Sequence, residues 1–151
     1  MAKPLCEKMI DNAKRSRDEA EVAGLWNEML HDIGLNTANG YMIIPEKRLH
    51  SNRRPDLVVR VILSDMVVLI VECKCIEYDS MEGWDSTETQ LNEYLQQAGC
   101  RNGIAAIGHK CKFLNLREPF ILQRKTYDWS NEFQQIIEIL VTFTRTGNFE
   151  P

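Results

Sequence analysis

Three charged residues flank two apolar runs in the middle of the chain, and their spacing suits one kind of chemistry. Asp56 stands just before the first run, while Glu72 and Lys74 close the second. If the runs fold back on each other at Ser64-Asp65 as a β-hairpin, the three side chains meet at one end of a sheet. Two carboxylates and an amine gathered there can bind a hard metal ion and a phosphodiester.

The register of this hairpin decides whether the three side chains share a face. Because side chains alternate along a strand, Glu72 and Lys74 lie on one face and Cys73 lies on the other. A two-residue turn would pair Asp56 with Cys73 and put the carboxylate on the wrong face. A three-residue loop or a β-bulge pairs Asp56 with Glu72 instead. We therefore predict an odd-length loop or a bulge.

An ordinary surface hairpin with charged ends is the alternative interpretation. The run from Met66 to Val71 is apolar at every position, which favours a strand covered on both faces. A glutamate and a lysine at the end of such a strand need partners or line a cleft, since burying an unpaired charge is costly. An internal ion pair in a structural or regulatory protein also satisfies this condition.

The same residues resemble the motif of a known family. Pro55-Asp56, followed after fifteen residues by Glu72-Cys73-Lys74, resembles the PD-(D/E)XK nuclease superfamily, which has the restriction-endonuclease-like fold. Further along, the segment from Gln90 to Tyr94 is similar to the Gln-x-x-x-Tyr element of some branches. Trp26-Asn27 and the long apolar strand are similar to a fungal nuclease-like group. The resemblance extends from about residue 19 to 115 and includes the order of the elements.

The resemblance implies a nuclease dependent on Mg²⁺ or Mn²⁺, with a DNA endonuclease as the favoured form. Asp56 and Glu72 would hold the metal, and the backbone carbonyl of Cys73 would complete the ligand set. Lys74 would orient the nucleophile or neutralise the transition state. A catalytically inactive nuclease-fold module that binds nucleic acid or a protein partner is the alternative.

Two helices contribute further candidates. With Trp26 at the centre of the first apolar stripe, Glu19 falls about 20° away at 100° per residue. The resemblance implies that Glu19 assists the metal or its water, and the alternative is a solvated residue beyond the stripe. Gln90 and Tyr94 are four residues apart and project together. The resemblance implies that they orient a phosphate or support the site, while a polar shoulder bonded to the next strand is the alternative.

A basic segment precedes Asp56 and is a candidate phosphate-binding loop. The chain has a net charge of −4, so no global attraction draws it to a polyanion and non-specific affinity should be weak and salt-dependent. We still expect a nucleic-acid partner, with DNA favoured over RNA. The four cations of the segment are Lys47, Arg48, Arg53 and Arg54, with His50 among them.

Length and composition indicate a single domain over residues 1–151. The chain is 44% hydrophobic, and no apolar run approaches the ~20 residues of a membrane span. Its start lacks a signal-peptide core, so we expect an intracellular protein, in the cytoplasm or nucleus. Five cysteines, an odd number, indicate reduced thiols rather than a disulfide framework. A homodimer remains open.

Periodicity predicts an α/β (α+β) domain with a central mixed sheet of four to five strands flanked by helices, in the order αβββαββα. The resemblance implies a restriction-endonuclease-like core. The predicted elements are a helix over 5–33, a strand over Tyr41–Ile44, the hairpin over 56–75, a helix over 86–99, strands over Ile104–Ile107 and Phe113–Leu116, and a helix over 130–144.

Overall fold

The computed structural model describes residues 1–49, 54–116 and 125–150. The helices are α1 (Lys3–Arg15), α2 (Glu19–Asp32), α3 (Met81–Ala98) and α4 (Phe133–Thr146). The strands are β1 (Tyr41–Pro45), β2 (Leu57–Val61), β3 (Val67–Lys74), β4 (Asn102–Ile107), β5 (Lys110–Asn115) and β6 (Tyr127–Asp128). Among the described residues, no helix is both long and apolar enough to cross a membrane.

The first helical region consists of two helices, so the prediction of one helix over 5–33 is wrong. The Ser16 hydroxyl accepts a 2.9 Å hydrogen bond from the Asp18 amide, and the Asp18 carboxylate accepts a 3.0 Å bond from the Ala20 amide. Such side-chain bonds compete with the helical ladder and cap a new helix. The break depends on these two local side-chain bonds, which hydrophobic periodicity does not register.

The six described strands form one mixed sheet in the order β1-β2-β3-β4-β5-β6. β3 and β4 are parallel, with α3 as the crossover between them, and every other neighbouring pair is antiparallel. The predicted mixed sheet flanked by helices is confirmed, with the order corrected to ααβββαβββα. The unpredicted strand β6 has only two residues, too few to show an alternating pattern.

The helices pack on opposite faces of this sheet. Side chains of α1, α2 and α4 form the larger core with Val71 and Cys73 of β3. On the other face, Leu91 and Leu95 of α3 pack against Ile70 of β3. The strand is therefore buried on both faces, as its unbroken apolar run predicted.

Helix α3 begins before the predicted residue 86. The Ser80 side chain accepts a 3.1 Å hydrogen bond from the Gly83 amide and caps a helix that starts at Met81. The first turn of the helix therefore lies before the predicted start. Acidic side chains such as Glu82 are favoured there by the helix dipole.

The cysteines are free thiols, as the odd count predicted. Burial raises the pKa of the Cys73 and Cys111 thiols well above the ordinary value and that of Cys100 to about 11. These thiols are therefore protonated at neutral pH and act as small apolar side chains. The five buried cysteines are Cys6, Cys73, Cys75, Cys100 and Cys111.

Candidate active site

The β2–β3 hairpin has the register that brings two carboxyl groups together. Leu57 pairs with Val71, so the next residues outward, Asp56 and Glu72, face each other. The register shifts by a bulge between Val59 and Arg60. The predicted bulge is thus confirmed, and it places the side chain of Asp56 on the same face as that of Glu72.

Asp56 and Glu72 form the centre of the site. The Asp56 carboxylate accepts a 2.7 Å hydrogen bond from the backbone amide of Cys73, which fixes its orientation. Glu72 is only 2% exposed, and its Oε2 atom has no hydrogen-bond partner. Burial, followed by the contact with the Asp56 carboxyl group, raises the pKa of Glu72 to about 9, while Lys74 opposes the rise. The pair therefore needs a shared proton or a cation.

Lys74 and Glu19 meet beside this pair. The Lys74 Nζ atom lies 4.0 Å from Oε2 of Glu19, which is the first residue of α2. Partial burial, followed by the charge of Asp56, raises the pKa of Glu19, and Lys74 acts in the opposite direction. The Glu19 side chain is 51% exposed, so it reaches the site from the solvent side. The structure thus brings four of the predicted residues together.

An acidic cleft between α2 and the strands β1 and β2 reaches Asp56, one member of the pair. Its volume is about 640 Å³. Glu46, which was not among the predicted site residues, lines this cleft together with Asp18, Glu19 and Asp56. Glu46 has a φ of +49°, and its amide donates a 3.0 Å hydrogen bond to the Asp56 carbonyl. The sequence did contain a signal for Glu46: it directly follows β1, at the same end of the sheet where Asp56 precedes β2.

Gln90 and Tyr94 project together from α3, as their spacing predicted. The Gln90 Nε2 atom donates a 2.9 Å hydrogen bond to the Tyr94 hydroxyl. Tyr94 is buried against the face of the sheet that carries Ile70, and the alternation along β3 puts Glu72 on that face too. The two residues therefore belong to the helix that covers the face carrying Glu72, and their role toward a phosphate stays a prediction.

The basic segment is described only in part. Arg48 and Arg54 are exposed, and Lys47 is half-buried. Arg53 and His50 lie outside the described residues. The phosphate-binding role of this segment stays a prediction.

The donor chemistry of the pair suits the metal that the resemblance implies. Asp56 and Glu72 offer hard carboxylate oxygens, which Mg²⁺ and Mn²⁺ prefer, and the partnerless Oε2 of Glu72 is available as a ligand. Within residues 1–49, 54–116 and 125–150, however, no three His, Cys, Asp or Glu side chains are already arranged around one metal position. The Cys73 thiol lies in the opposite core, so only its carbonyl could serve as the predicted ligand.

Comparisons with known proteins bear on the fold. No protein-family model and no curated protein sequence matches the chain. A chain in a cryo-EM structure of a DrdV–DNA complex is similar, with a TM-score of 0.60 and 15% identity over 91% of this chain and 94% of that chain. A crystal structure of the type IIG restriction endonuclease BpuSI gives a TM-score of 0.48 and 16% identity, over 92% of this chain and 15% of that chain.

The sheet order and its flanking helices give the chain the restriction-endonuclease-like architecture that the motif implies. At 15% identity, the likeness to the DrdV chain concerns the fold. The similarity of Trp26-Asn27 to a fungal nuclease-like group stays a prediction.

Proposed function

We propose that this chain is a metal-dependent nuclease that hydrolyses phosphodiester bonds, with internal positions in DNA as the favoured target. The observation that carries the proposal is the contact between the Asp56 and Glu72 carboxyl groups beside the Lys74 amine. A carboxyl pair with one almost fully buried member and no cation is unfavourable for folding, so its presence beside a cleft is best explained by a role in binding.

Asp56 and Glu72 would hold Mg²⁺ or Mn²⁺ together with the Cys73 carbonyl. Bound there, the metal supplies a water of lowered pKa and a Lewis acid for the phosphate. The Cys73 amide holds the Asp56 carboxylate in place. The Lys74 ammonium donates hydrogen bonds to the negative oxygens of the phosphate, and Glu19 accepts from the water that Lys74 helps to orient.

The charge of the cleft makes a divalent cation necessary for substrate binding. Four carboxylate side chains line it, and they repel a phosphodiester until a cation compensates them. Arg48 and Arg54, with Lys47 and Arg53, would hold flanking phosphates by point-charge contacts. DNA is the first substrate to test, because the similar DrdV chain is part of a DNA complex.

The decisive experiment is incubation of the protein with plasmid, linear DNA and RNA in Mg²⁺, Mn²⁺ or EDTA. Cleavage of plasmid that needs a metal and disappears in Asp56→Asn and Lys74→Ala is expected. Both variants should keep the melting temperature of the wild type within a few degrees, which separates lost chemistry from lost folding. Cleavage that persists in both variants would contradict the assignment.

A binding module without catalysis is the second candidate, and a specific observation favours it. Glu72 is almost fully buried. Among the described residues, no three His, Cys, Asp or Glu side chains converge on one metal position. In that case Asp56 and Glu72 share a proton and the pair has only a structural role. Nucleic-acid binding by the wild type, with no cleavage in any metal, would support this candidate.

A further inference from the structure

A short turn after β3 carries an aromatic ring beside the proposed catalytic lysine. The turn spans Ile76–Tyr78, and Tyr78 is 50% exposed. The Lys74 Nζ atom lies 5.8 Å from the centroid of the Tyr78 ring, above its face. A large flat side chain is thus presented to solvent at the edge of the site, with Lys74 over one part of its surface.

The backbone around Tyr78 is tightly packed, which fixes the position of the turn that carries the ring. A Cβ atom on Gly83 would collide with the Tyr78 carbonyl oxygen, which instead accepts a 2.8 Å hydrogen bond from the Ser80 amide. On the other side, a Cβ on Gly108 would lie 2.6 Å from Cδ1 of Ile76. Both glycines therefore allow the turn to approach its neighbours closely.

The acidic residues next to Tyr78 are neutralised by partners from other elements. Arg17 lies 3.0 Å from the Glu77 carboxylate, and Lys110 lies 2.7 Å from that of Asp79. The surface around the ring therefore repels a polyanion much less than the sequence, with its run of acids, suggests.

We propose that Tyr78 stacks on an unpaired nucleobase whose phosphate lies at Lys74. The preferred substrate class is then nucleic acid with a single-stranded or displaced nucleotide at the cleavage position. This inference rests on the proposed nuclease site, which it deepens. The faces of the bases in a duplex are covered by their neighbours, so a ring face can find a base only where the base has left the stack.

The exposed apolar surface extends beyond the ring. Met81, which follows on the first turn of α3, is 83% exposed. An exposed thioether three residues after an exposed aromatic ring adds apolar surface of a kind that suits the flat face of a base better than the ribose-phosphate backbone.

The test is fluorescence anisotropy with three labelled DNAs of equal length, in Ca²⁺, which can compensate the charge of the acidic cleft. They are a single strand, a perfect duplex and a duplex with a central unpaired stretch. Tyr78→Ala should lower affinity for the single strand and the interrupted duplex by roughly 5- to 150-fold and leave the perfect duplex unchanged. Tyr78→Phe should stay within about twofold of the wild type, since the ring remains.

Two controls keep the result interpretable. Leu63→Ala removes another exposed apolar side chain, 97% exposed at the hairpin tip, and should change nothing. Tyr78→Leu keeps apolar volume without a flat ring. It should therefore lose the preference for the single strand and the interrupted duplex over the perfect duplex, even if Tyr78→Ala folds poorly. An equal loss on all three DNAs, no loss at all, or no binding by the wild type would overturn the inference.

Cleavage is measured separately on the same DNAs. If no metal supports cleavage but the selective loss in Tyr78→Ala persists, the proposed nuclease fails while Tyr78 remains a stacking platform. If the wild type cleaves and Tyr78→Ala keeps the same preference among the DNAs, the stacking role fails alone.

Discussion

Two groups of carboxylates flank the sheet and differ in how their charge is balanced. At the end of β2 and β3, Asp56 and Glu72 contact each other, and burial raises the pKa of Glu72 to about 9. Near the start of α3, Asp79 accepts hydrogen bonds from Lys110 and Trp84. Burial alone would raise the pKa of Asp79, but these bonds outweigh it and lower the pKa.

The difference separates carboxylates that stabilise the fold from carboxylates that await a ligand. Asp79 joins the turn before α3 to β5, and Glu88 lies 3.4 Å from Lys112 of the same strand. Each has a lysine of its own. Glu72 has another acid as its nearest neighbour, so a cation would relieve the contact that folding creates.

The largest expected effect compares one lysine from each group. Lys74→Ala should reduce metal-dependent cleavage by about two orders of magnitude or more, the scale typical of losing one preorganised electrostatic group. Lys110→Ala should leave cleavage nearly unchanged, because Lys110 serves Asp79. Single-turnover rates with saturating enzyme measure both. Equal losses in the two variants would show that the lysines do not differ in role.

Metal affinity should follow the same division. Asp56→Asn removes a negative oxygen from the proposed site and should weaken Mn²⁺ binding at least tenfold, as measured by calorimetry. Asp79→Asn is the matched control and should bind Mn²⁺ as the wild type does, because Asp79 is engaged by Lys110 and Trp84. Equal affinity in wild type and Asp56→Asn would remove Asp56 from the ligand set.

Stability should depend on pH in opposite directions at the two groups. Because the pKa of Glu72 is raised from 4.5 to about 9, the folded protein keeps a proton that the unfolded chain releases. The metal-free protein should therefore lose stability as pH rises between those values. Glu72→Gln should remove this dependence and raise the melting temperature at about pH 8.5 but not at pH 4.

At Asp79 the dependence of stability on pH should have the opposite sign to that at Glu72. Its pKa is lowered, so its stabilisation is present above the unfolded value and is lost as pH falls through the folded one. Asp79→Asn should therefore lower the melting temperature at neutral pH and have less effect in acid. Thermal unfolding of both variants across the pH range, in EDTA, checks the two signs together.

The alternation along the strands, with a bulge, was enough to predict that Asp56, Glu72 and Lys74 share one face at one end of the sheet. Alternation fixed the face of Glu72 and Lys74, and the requirement that Asp56 share it predicted the bulge that is observed. The depth at which Glu72 is buried could not be predicted, because it depends on how α3 covers that end of β3. Glu46 was missed because its role comes from a left-handed backbone position at a strand end and not from a motif.

The smallest expected effect concerns the cations that could hold flanking phosphates. Arg48→Ala with Arg54→Ala should reduce the slope of log affinity against log salt by about 0.9 for each duplex phosphate contact removed. Lys112→Ala is the control, since its ammonium already lies 3.4 Å from Glu88 and 5.1 Å from the centroid of the Trp84 ring. A lysine that is already paired in this way should not neutralise a DNA phosphate, so it should not displace a counterion from the DNA. Its loss should therefore leave the salt slope unchanged. A change of slope in the control and none in the arginine variant would contradict this assignment. It would instead indicate that β5, and not the β1–β2 loop, contacts the phosphates.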